Sequence, residues 1–511
     1  MPSVLKSKRG GIKSMNQLFE NLFIFEMANN HQGDVEHGLD IIRAMGKITR
    51  KYNIKAAVKL QYRELETFIH PEYVNRTDVK HIPRFLGTRM EEQEFSTLVN
   101  AIKEEGMFSM STPFDEASVN LCMDHGIDII KIASCSALDW PLLTAASASR
   151  KPLIVSTGGK KISDIDKIYN FLTHRENFFA FLHCIALYPT PAENLQLDFI
   201  HRLSKRYPNV TIGYSGHEDP NDIITPMLAV AKGAMILERH VGLSTDSITL
   251  NAYSMNPDQA DAWVKAAIDA KKMCNIHGNG DKYVSQDEVD SLNSLMRGVY
   301  VNKDIPKGTP IKEQDVFFAM PCLEKQMNSG QFYDGIVATK DYKANDGVFE
   351  IKKKDNIAIV RNVIHDAKGM LYEAGIPVGS DFEVELSHHY GMAHFRQNGA
   401  LIINIINREY CKKLIIVLPG QKHPVHHHKL KEETFQLLYG DLQVDLEGKV
   451  EHLKPGDILT VPRMAKHSFT SSKGAIFEEI STTHVKKDSY YADEKISRLD
   501  PIERKTILRN W

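Results

Sequence analysis

The chain has 511 residues, 42% of them apolar and 25% charged, with a formal charge of −2. Those values fit a soluble globular protein of roughly two to four domains and give no global pull toward nucleic acid or a membrane. Six scattered cysteines without a CxxC pair predict reduced thiols, and the basic first residues lack the apolar core of a signal peptide, so a cytoplasmic location is expected.

Eight short apolar runs lead the chain: "FIFEMA" (23–28), "AAVKLQ" (56–61), "MFSMST" (107–112), "IIKIAS" (129–134), "LIVSTG" (153–158), "FFAFLHC" (178–184), "TIGYS" (211–215) and "MILERHV" (235–241). Between them lie segments with apolar residues at helical spacing, such as "GLDIIRAMGKITRKY". Buried parallel strands read as near-continuous apolar runs, so eight strand–helix units predict an α/β fold, a (β/α)8 TIM barrel over residues 1–280. A doubly wound sheet is the rival, and no glycine-rich dinucleotide turn supports it.

Polar residues mark the C-terminal ends of these runs, where barrel active sites sit: Glu26, Lys59, Gln61, Ser111, Thr112, Lys131, Ser134, Ser156, Thr157, His183, Ser215, His217, Glu238 and His240. Lys59 and Lys131 supply positive charge. Ser134, Ser156, Ser215 and the Gly158–Gly159 backbone supply donors, a set that suits a phosphate or carboxylate. His217 and His240 close the seventh and eighth strands, so one divalent metal could join them. Glu26 and Glu238 are acid–base candidates.

These stretches resemble the sialic acid (N-acetylneuraminate) synthase family. The matching segments are "EMANNHQGD" (26–34), "VKLQ" (58–61), "STPFDEAS" (111–118), "KIASCSALDWPLL" (131–143), "STGGKKISDI" (156–165), "LHCIALYPTP" (182–191), "IGYSGHED" (212–219) and "KGAMILERHVGL" (232–243). The resemblance implies condensation of phosphoenolpyruvate with an N-acetylmannosamine-like aldose, giving a sialic-type acid and phosphate in surface-polysaccharide biosynthesis. It implies a barrel Mn2+ on His217 and His240 and catalytic roles for Glu26, Lys59 and Glu238. Gln61, Thr112, Lys131, Ser134, Ser156, Tyr188 and Ser215 would bind substrate. Four positions depart from the family pattern: Ala186 stands where Asn is usual, Gly216 where Asp is usual, and Leu250 and Asn251 where Asp and His are usual. A changed acceptor sugar is the expected reason.

Next comes "LMRGVYVNKDIPKGTPIKEQDVFFAMPC" (295–322), whose alternating runs read as short strands. It resembles the antifreeze-like (SAF) domain of these synthases, expected over 285–352. That implies a homodimer in which this domain caps the partner's barrel, with Met320 in place of the family's acceptor-reaching arginine.

A charged boundary, "EIKKKDN" (350–356), precedes "AIVRNV", "FEVELSHH", "ALIINIINREY", "KKLIIVL", "TFQLLYGDLQVDLE" and "FEEIST". These read as strands of an all-β domain over 353–511. Within it Gly420, His426, His428, Glu433 and Gly440 keep the spacing G-x5-H-x-H-x4-E-x6-G, and His467 follows in a second glycine-led stretch from Gly456. Residues two apart on a strand share a face. The pattern resembles a cupin barrel, with His426, His428, Glu433 and His467 as ligands of a first-row divalent metal (Mn, Fe, Ni or Zn). His427 and His423 are expected at the surface. The stretch is also similar to sugar-isomerase and epimerase cupins, which would put Arg408, Glu409, Lys412 and Lys429 near a sugar. A second enzyme, or a sugar-binding regulatory protein with an inactive barrel, is therefore an alternative.

Overall fold

The computed structural model describes residues 17–274, 282–349, 356–379, 381–500, 502–509 and 511. The chain divides into two compact units, residues 1–275 and 276–511. The charged boundary expected at 350–356 lies outside the described residues up to 355.

In the first unit β1 (Leu22–Glu26), β2 (Lys55–Tyr62), β3 (Phe108–Pro113), β4 (Ile129–Ile132), β5 (Leu153–Ser156), β6 (Phe179–Cys184), β7 (Thr211–Gly216) and β8 (Ile236–His240) form a closed barrel in chain order. Neighbours pair in parallel, and β8 returns to β1. Each predicted run holds one strand. Alternation along the strands sorts the side chains. Leu22, Ile24, Ala57, Met110, Ile129, Ile154, Ala180, Leu182 and Ile236 form one fully buried cluster that fills the barrel's lower interior. The intervening residues, such as Phe23, Phe25, Val58, Leu60, Ile130 and Ile132, pack outward against the helices. One more step up the inward-facing positions reaches Glu26, Lys59, Gln61, Thr112, Lys131, Ser156, Cys184, Ser215, Glu238 and His240, so the polar layer lies directly above an apolar plug.

The same parity corrects three rim assignments. His183 faces away from the lumen, and its Nε2 lies 2.8 Å from the Leu195 carbonyl. Thr157 Oγ1 donates to Leu182 O at 3.0 Å. Ser111 sits one step from inward-facing Thr112 and so points outward.

In the second unit β9 (Gly298–Val301) pairs with β11 (Val316–Ala319), and β10 (Pro310–Ile311) with β12 (Ile336–Val337), all antiparallel. They surround a small core of Val299, Val301, Ile305, Ile311, Val316, Tyr342 and Val348.

The remaining strands are β13 (Glu383–His388), β14 (Gly399–Asn407), β15 (Tyr410–Val417), β16 (His426–His427), β17 (Glu433–Gly440), β18 (Leu442–Leu446), β19 (Lys449–Leu453), β20 (Ile458–Val461), β21 (His467–Thr470), β22 (Ala475–Thr482), β23 (Tyr490–Tyr491) and β24 (Lys505–Leu508). They form a seven-stranded sheet, β20-β17-β22-β15-β14-β13-β24, and a five-stranded sheet, β19-β18-β21-β16-β23. Apolar residues of both sheets, including Ile415, Phe435 and Phe477 with Val444 and Phe469, make one shared core.

"AIVRNV" is not a strand. It begins an 18-residue helix, Asn356–Glu373, that buries Val363, Ala367 and Leu371. Those residues recur at four-residue spacing, a helical period. They pack on Val384, Leu386, Leu401 and Ile416 of the seven-stranded sheet, on the face opposite the shared core.

Candidate active site and second metal centre

Register places the barrel's charges side by side. Glu26 is level with Lys59 on β2 and His240 on β8, and Ser215 is level with Glu238. Lys131 Nζ donates to both oxygens of Glu238, at 2.7 and 2.9 Å, and Ser215 Oγ donates to Oε1 at 2.8 Å. Lys59 Nζ bridges Glu238 Oε2, at 2.8 Å, and the Glu26 carboxylate. All five side chains are buried. Burial would raise the Glu238 carboxyl, but the Lys131 and Lys59 ammonium groups outweigh it and hold Glu238 well below the usual carboxylate range. Burial also draws Lys59 down to about 7, with the Lys131 charge adding to it against the pull of Glu238.

His217 and His240 stand beside this network, their ring centroids 5.4 Å apart. His217 Nδ1 lies 3.1 Å from the Ile185 carbonyl, a contact that directs Nε2 outward as a lone pair. Burial lowers His217 to about 4 and His240 well below its ordinary value, so both rings are neutral donors at physiological pH. That donor set fits a divalent ion with coordination sites left for substrate. Tyr188 lies 4.3 Å from the His217 ring, and Tyr253 lies 5.0 Å from His240. Tyr253 escaped the sequence reading because a loop aromatic carries no spacing signal.

The other expected residues flank the network. Ser134 Oγ accepts from Gly158 N at 3.0 Å, fixing the loop after β5. Ser156 Oγ is buried with no hydrogen-bond partner, a donor suited to a ligand oxygen. Gln61 and Thr112 are register partners on β2 and β3.

A Cβ at Gly216 would overlap the Glu218 carboxylate. Glu218 fills the space and bonds Arg239, with Nη1 to Oε1 at 2.6 Å, while the Tyr214 hydroxyl donates to Oε2 at 3.0 Å. A carboxylate from two residues later thus occupies the space beside Gly216. Arg239 and Glu218 flank His240 and His217 in sequence and buttress both.

In the second unit His426, His428, Glu433 and His467 are all buried, with one ligand atom from each within 4.8 Å of the others. Among the described residues this is the one such group of three or more. Each imidazole is anchored through Nδ1: His426 to Pro424 O at 3.1 Å, His428 to Asp488 O at 2.6 Å, and His467 to Ala465 O at 3.1 Å. Every Nε2 is therefore free to ligate. Glu433 Oε2 and His467 Nε2 face each other at 3.2 Å, both buried without a hydrogen bond of good geometry. An ion between them would satisfy both.

Two basic and two acidic groups meet beside the tetrad. Lys431 Nζ contacts Glu433 and lies 2.9 Å from Glu479 Oε1, and Lys413 lies 3.3 Å from Glu479. Burial would raise Glu433, but the Lys431 charge, with the neighbouring His428 and His467 imidazoles adding to it, pulls it well down. Lys431 is absent from the sequence expectations, although its two-residue offset from Glu433 is a signal that could have found it. Glu479 falls on β22, where no motif pointed.

Several expectations for this unit are corrected. His423 is buried, stacked on Phe469 at 4.5 Å and 3.0 Å from His389 Nε2, because the chain turns inward before β16. His427 is partly exposed and stacks on Tyr490. None of the four residues expected near a sugar reaches the tetrad. Arg408 and Glu409 are exposed at the β14–β15 turn, Lys429 Nζ sits over Tyr490, and Lys412 pairs with Glu478 at 2.8 Å. Strand alternation turns Lys412 away and Lys413 in.

Comparison with known proteins gives two family matches, the NeuB family over residues 51–282 and the cupin domain over 413–478. A crystal structure from Chromobacterium violaceum, assigned to spore coat polysaccharide biosynthesis as protein E, is 44% identical. It superposes with a TM-score of 0.62 and covers 64% of this chain and 98% of that one. Human N-acetylneuraminate-9-phosphate synthase is 27% identical over 56% of this chain and 79% of its own length. The N,N'-diacetyllegionaminic acid synthase of Legionella pneumophila is 25% identical over 61% and 89%.

Proposed function

The chain belongs to the NeuB family and carries a C-terminal cupin domain, and on that premise we propose that its barrel joins phosphoenolpyruvate to an open-chain aldose. Relatives named as sialic-type acid synthases support a condensation of this class. The observation that carries the reading is the buried Glu26–Lys59–Glu238–Lys131–Ser215 network at the strand ends, beside His217 and His240.

In this reading Lys59, Lys131, Ser134, Ser156 and Ser215 bind the phosphate and carboxylate of phosphoenolpyruvate. C3 of phosphoenolpyruvate bonds to the aldehyde carbon, whose oxygen gains a proton. Water adds at C2, and the C2–O bond breaks to release phosphate and leave a 2-keto acid. Glu26 and Glu238 accept hydrogen bonds from the sugar hydroxyl and the entering water, and Lys59, drawn down to about 7, holds and passes the proton. Gln61, Thr112 and Tyr188 orient the aldose. His217 and His240 would hold a divalent ion such as manganese, which supplies Lewis-acid polarisation of the aldehyde.

The proposed domains are a barrel to about residue 280, an antifreeze-like segment over 285–352 and a cupin from 353, in a cytoplasmic homodimer. The acceptor is an N-acetylmannosamine-like aldose. The test is phosphate release from phosphoenolpyruvate across a panel of aldoses with metal-replete protein. Release with none of them would defeat the reading.

The cupin supports a second reading, a sugar isomerase or epimerase in the same chain. The pairing of Lys431 and Glu479 beside the tetrad favours it, since proton shuttling needs an acid and a base near the metal-held carbonyl. Interconversion of a sugar by the full chain, lost in His426→Ala while phosphate release persists, would establish it.

A further inference from the structure

We propose that Arg63 anchors the distal end of the acceptor, reading the acyl carbonyl of an uncharged N-acyl aldose; this rests on the condensation reading. Arg63 lies two residues beyond Gln61, one position past the end of β2. Its guanidinium is clamped between two aromatic rings, 4.0 Å from the centroid of Phe85 and 3.7 Å from that of Phe114. Such a sandwich fixes the plane of the fork and forbids it to swing into solvent. One amino group donates to Gln61 Oε1 at 2.9 Å. The Nε atom is buried with no hydrogen-bond partner. A locked donor left unpaired beside a substrate-facing glutamine is suited to an incoming carbonyl oxygen.

Space for that group is present. A cavity of about 330 Å3 is lined by Asn29, Gln61, Arg63 and Thr88, within the size range of small-molecule sites. The aldehyde end of the aldose must reach the rim between Lys59 and His240. Gln61 belongs to both the rim and the cavity, so the rest of the sugar chain passes over it toward Arg63.

The charge of the cavity selects the class of sugar. Glu64, Glu91, Glu92 and Asp124 line it against Arg63 and Arg89. Burial lowers His31, also in the lining, to about 4, with His37 and Arg84 adding to the shift. Arg89 already lies 3.6 Å from Glu91 and 3.7 Å from Glu66. Carboxylates outnumber the cations, which disfavours a terminal phosphate on the acceptor. A neutral acyl group needs only the one directed donor that Arg63 provides.

The experiment compares wild type, Arg63→Met and Arg63→Lys, with circular dichroism as the folding control. N-acetylmannosamine and its 6-phosphate are the probes, read by steady-state kinetics and by saturation-transfer NMR of sugar binding. Arg63→Met should raise KM for N-acetylmannosamine by about 10- to 100-fold, as loss of a charged hydrogen bond does, and leave KM for phosphoenolpyruvate unchanged. Arg63→Lys should not restore it, since an ammonium lacks the planar fork. Preference for the 6-phosphate, an equal rise in both KM values, or wild-type sugar binding that Arg63→Met leaves intact would each overturn the proposal while leaving the condensation standing. Absence of phosphate release by wild type with every acceptor would instead strike the condensation reading. The NMR arm still decides Arg63, because absent or unaltered sugar binding counts against it.

Discussion

The barrel rim and the cupin interior each gather histidines and carboxylates beside lysines, yet they are built for different tasks. At the rim only two imidazoles approach each other, and Glu26 and Glu238 are engaged by lysines. In the cupin four donors already lie within 4.8 Å, and each ring is pinned by a backbone carbonyl. The first arrangement would leave most of an ion's coordination to substrate and water; the second would enclose the ion itself. The cupin should therefore keep its metal through dialysis against a chelator that strips the barrel.

The sharpest way to break this contrast is to remove one centre at a time. His217→Ala should lower phosphate release by about 100- to 1000-fold, the scale of losing a principal electrostatic contact, while metal analysis still finds one ion per chain in the cupin. Glu433→Gln should do the reverse, emptying the cupin and sparing phosphate release. If either variant abolishes both properties, the two centres are not independent.

A second effect sharpens the barrel side. Glu218→Gly leaves the buried Arg239 charge without its carboxylate, which costs about 3–5 kcal/mol and lowers Tm by roughly 10 °C. Adding Gly216→Asp to that variant should recover much of the loss, because the new carboxylate enters the space Glu218 vacated. Melting curves that stay low in the double variant would refute the exchange.

These tests show what the sequence could convey. The eight barrel strands were legible because parallel strands buried on both faces are continuously apolar. The tetrad was legible because a strand's period of two forces His426 and His428 onto one face. Less accessible were features set by folding at a distance. "AIVRNV" carries enough β-branched residues to resemble a strand, and only the longer four-residue recurrence through Leu371 betrays the helix. His423 was misplaced because its burial depends on Phe469, 46 positions later. Arg63 lacks any motif; its meaning comes from Phe85 and Phe114 closing around it.

On the cupin side a smaller effect is expected from Asp488. Its carboxylate accepts from the backbone N–H groups of Lys429, Leu430 and Lys431, at 3.0 to 3.2 Å, and its carbonyl holds His428. Asp488→Ala frees this loop and should weaken the cupin ion by about 10- to 100-fold, as loss of an outer-shell partner does, measured by competition with a fluorescent chelator. The smallest effect belongs to His427→Ala. The partly exposed ring supports only Tyr490, so stability should change by about 0.5 kcal/mol or less, with metal content unaltered.

Asp488 also sets an order in time. His240, the last of the barrel's candidate ligands, precedes it by 248 positions. At roughly 5–20 residues per second of synthesis, the ribosome needs about 12–50 s to travel between them. A nascent chain can finish its barrel and fill that site while the cupin's loop still lacks its fastener. Any ions the two centres take up would then be acquired in succession, the cupin's last, from whatever metal pool the cell offers at that later moment.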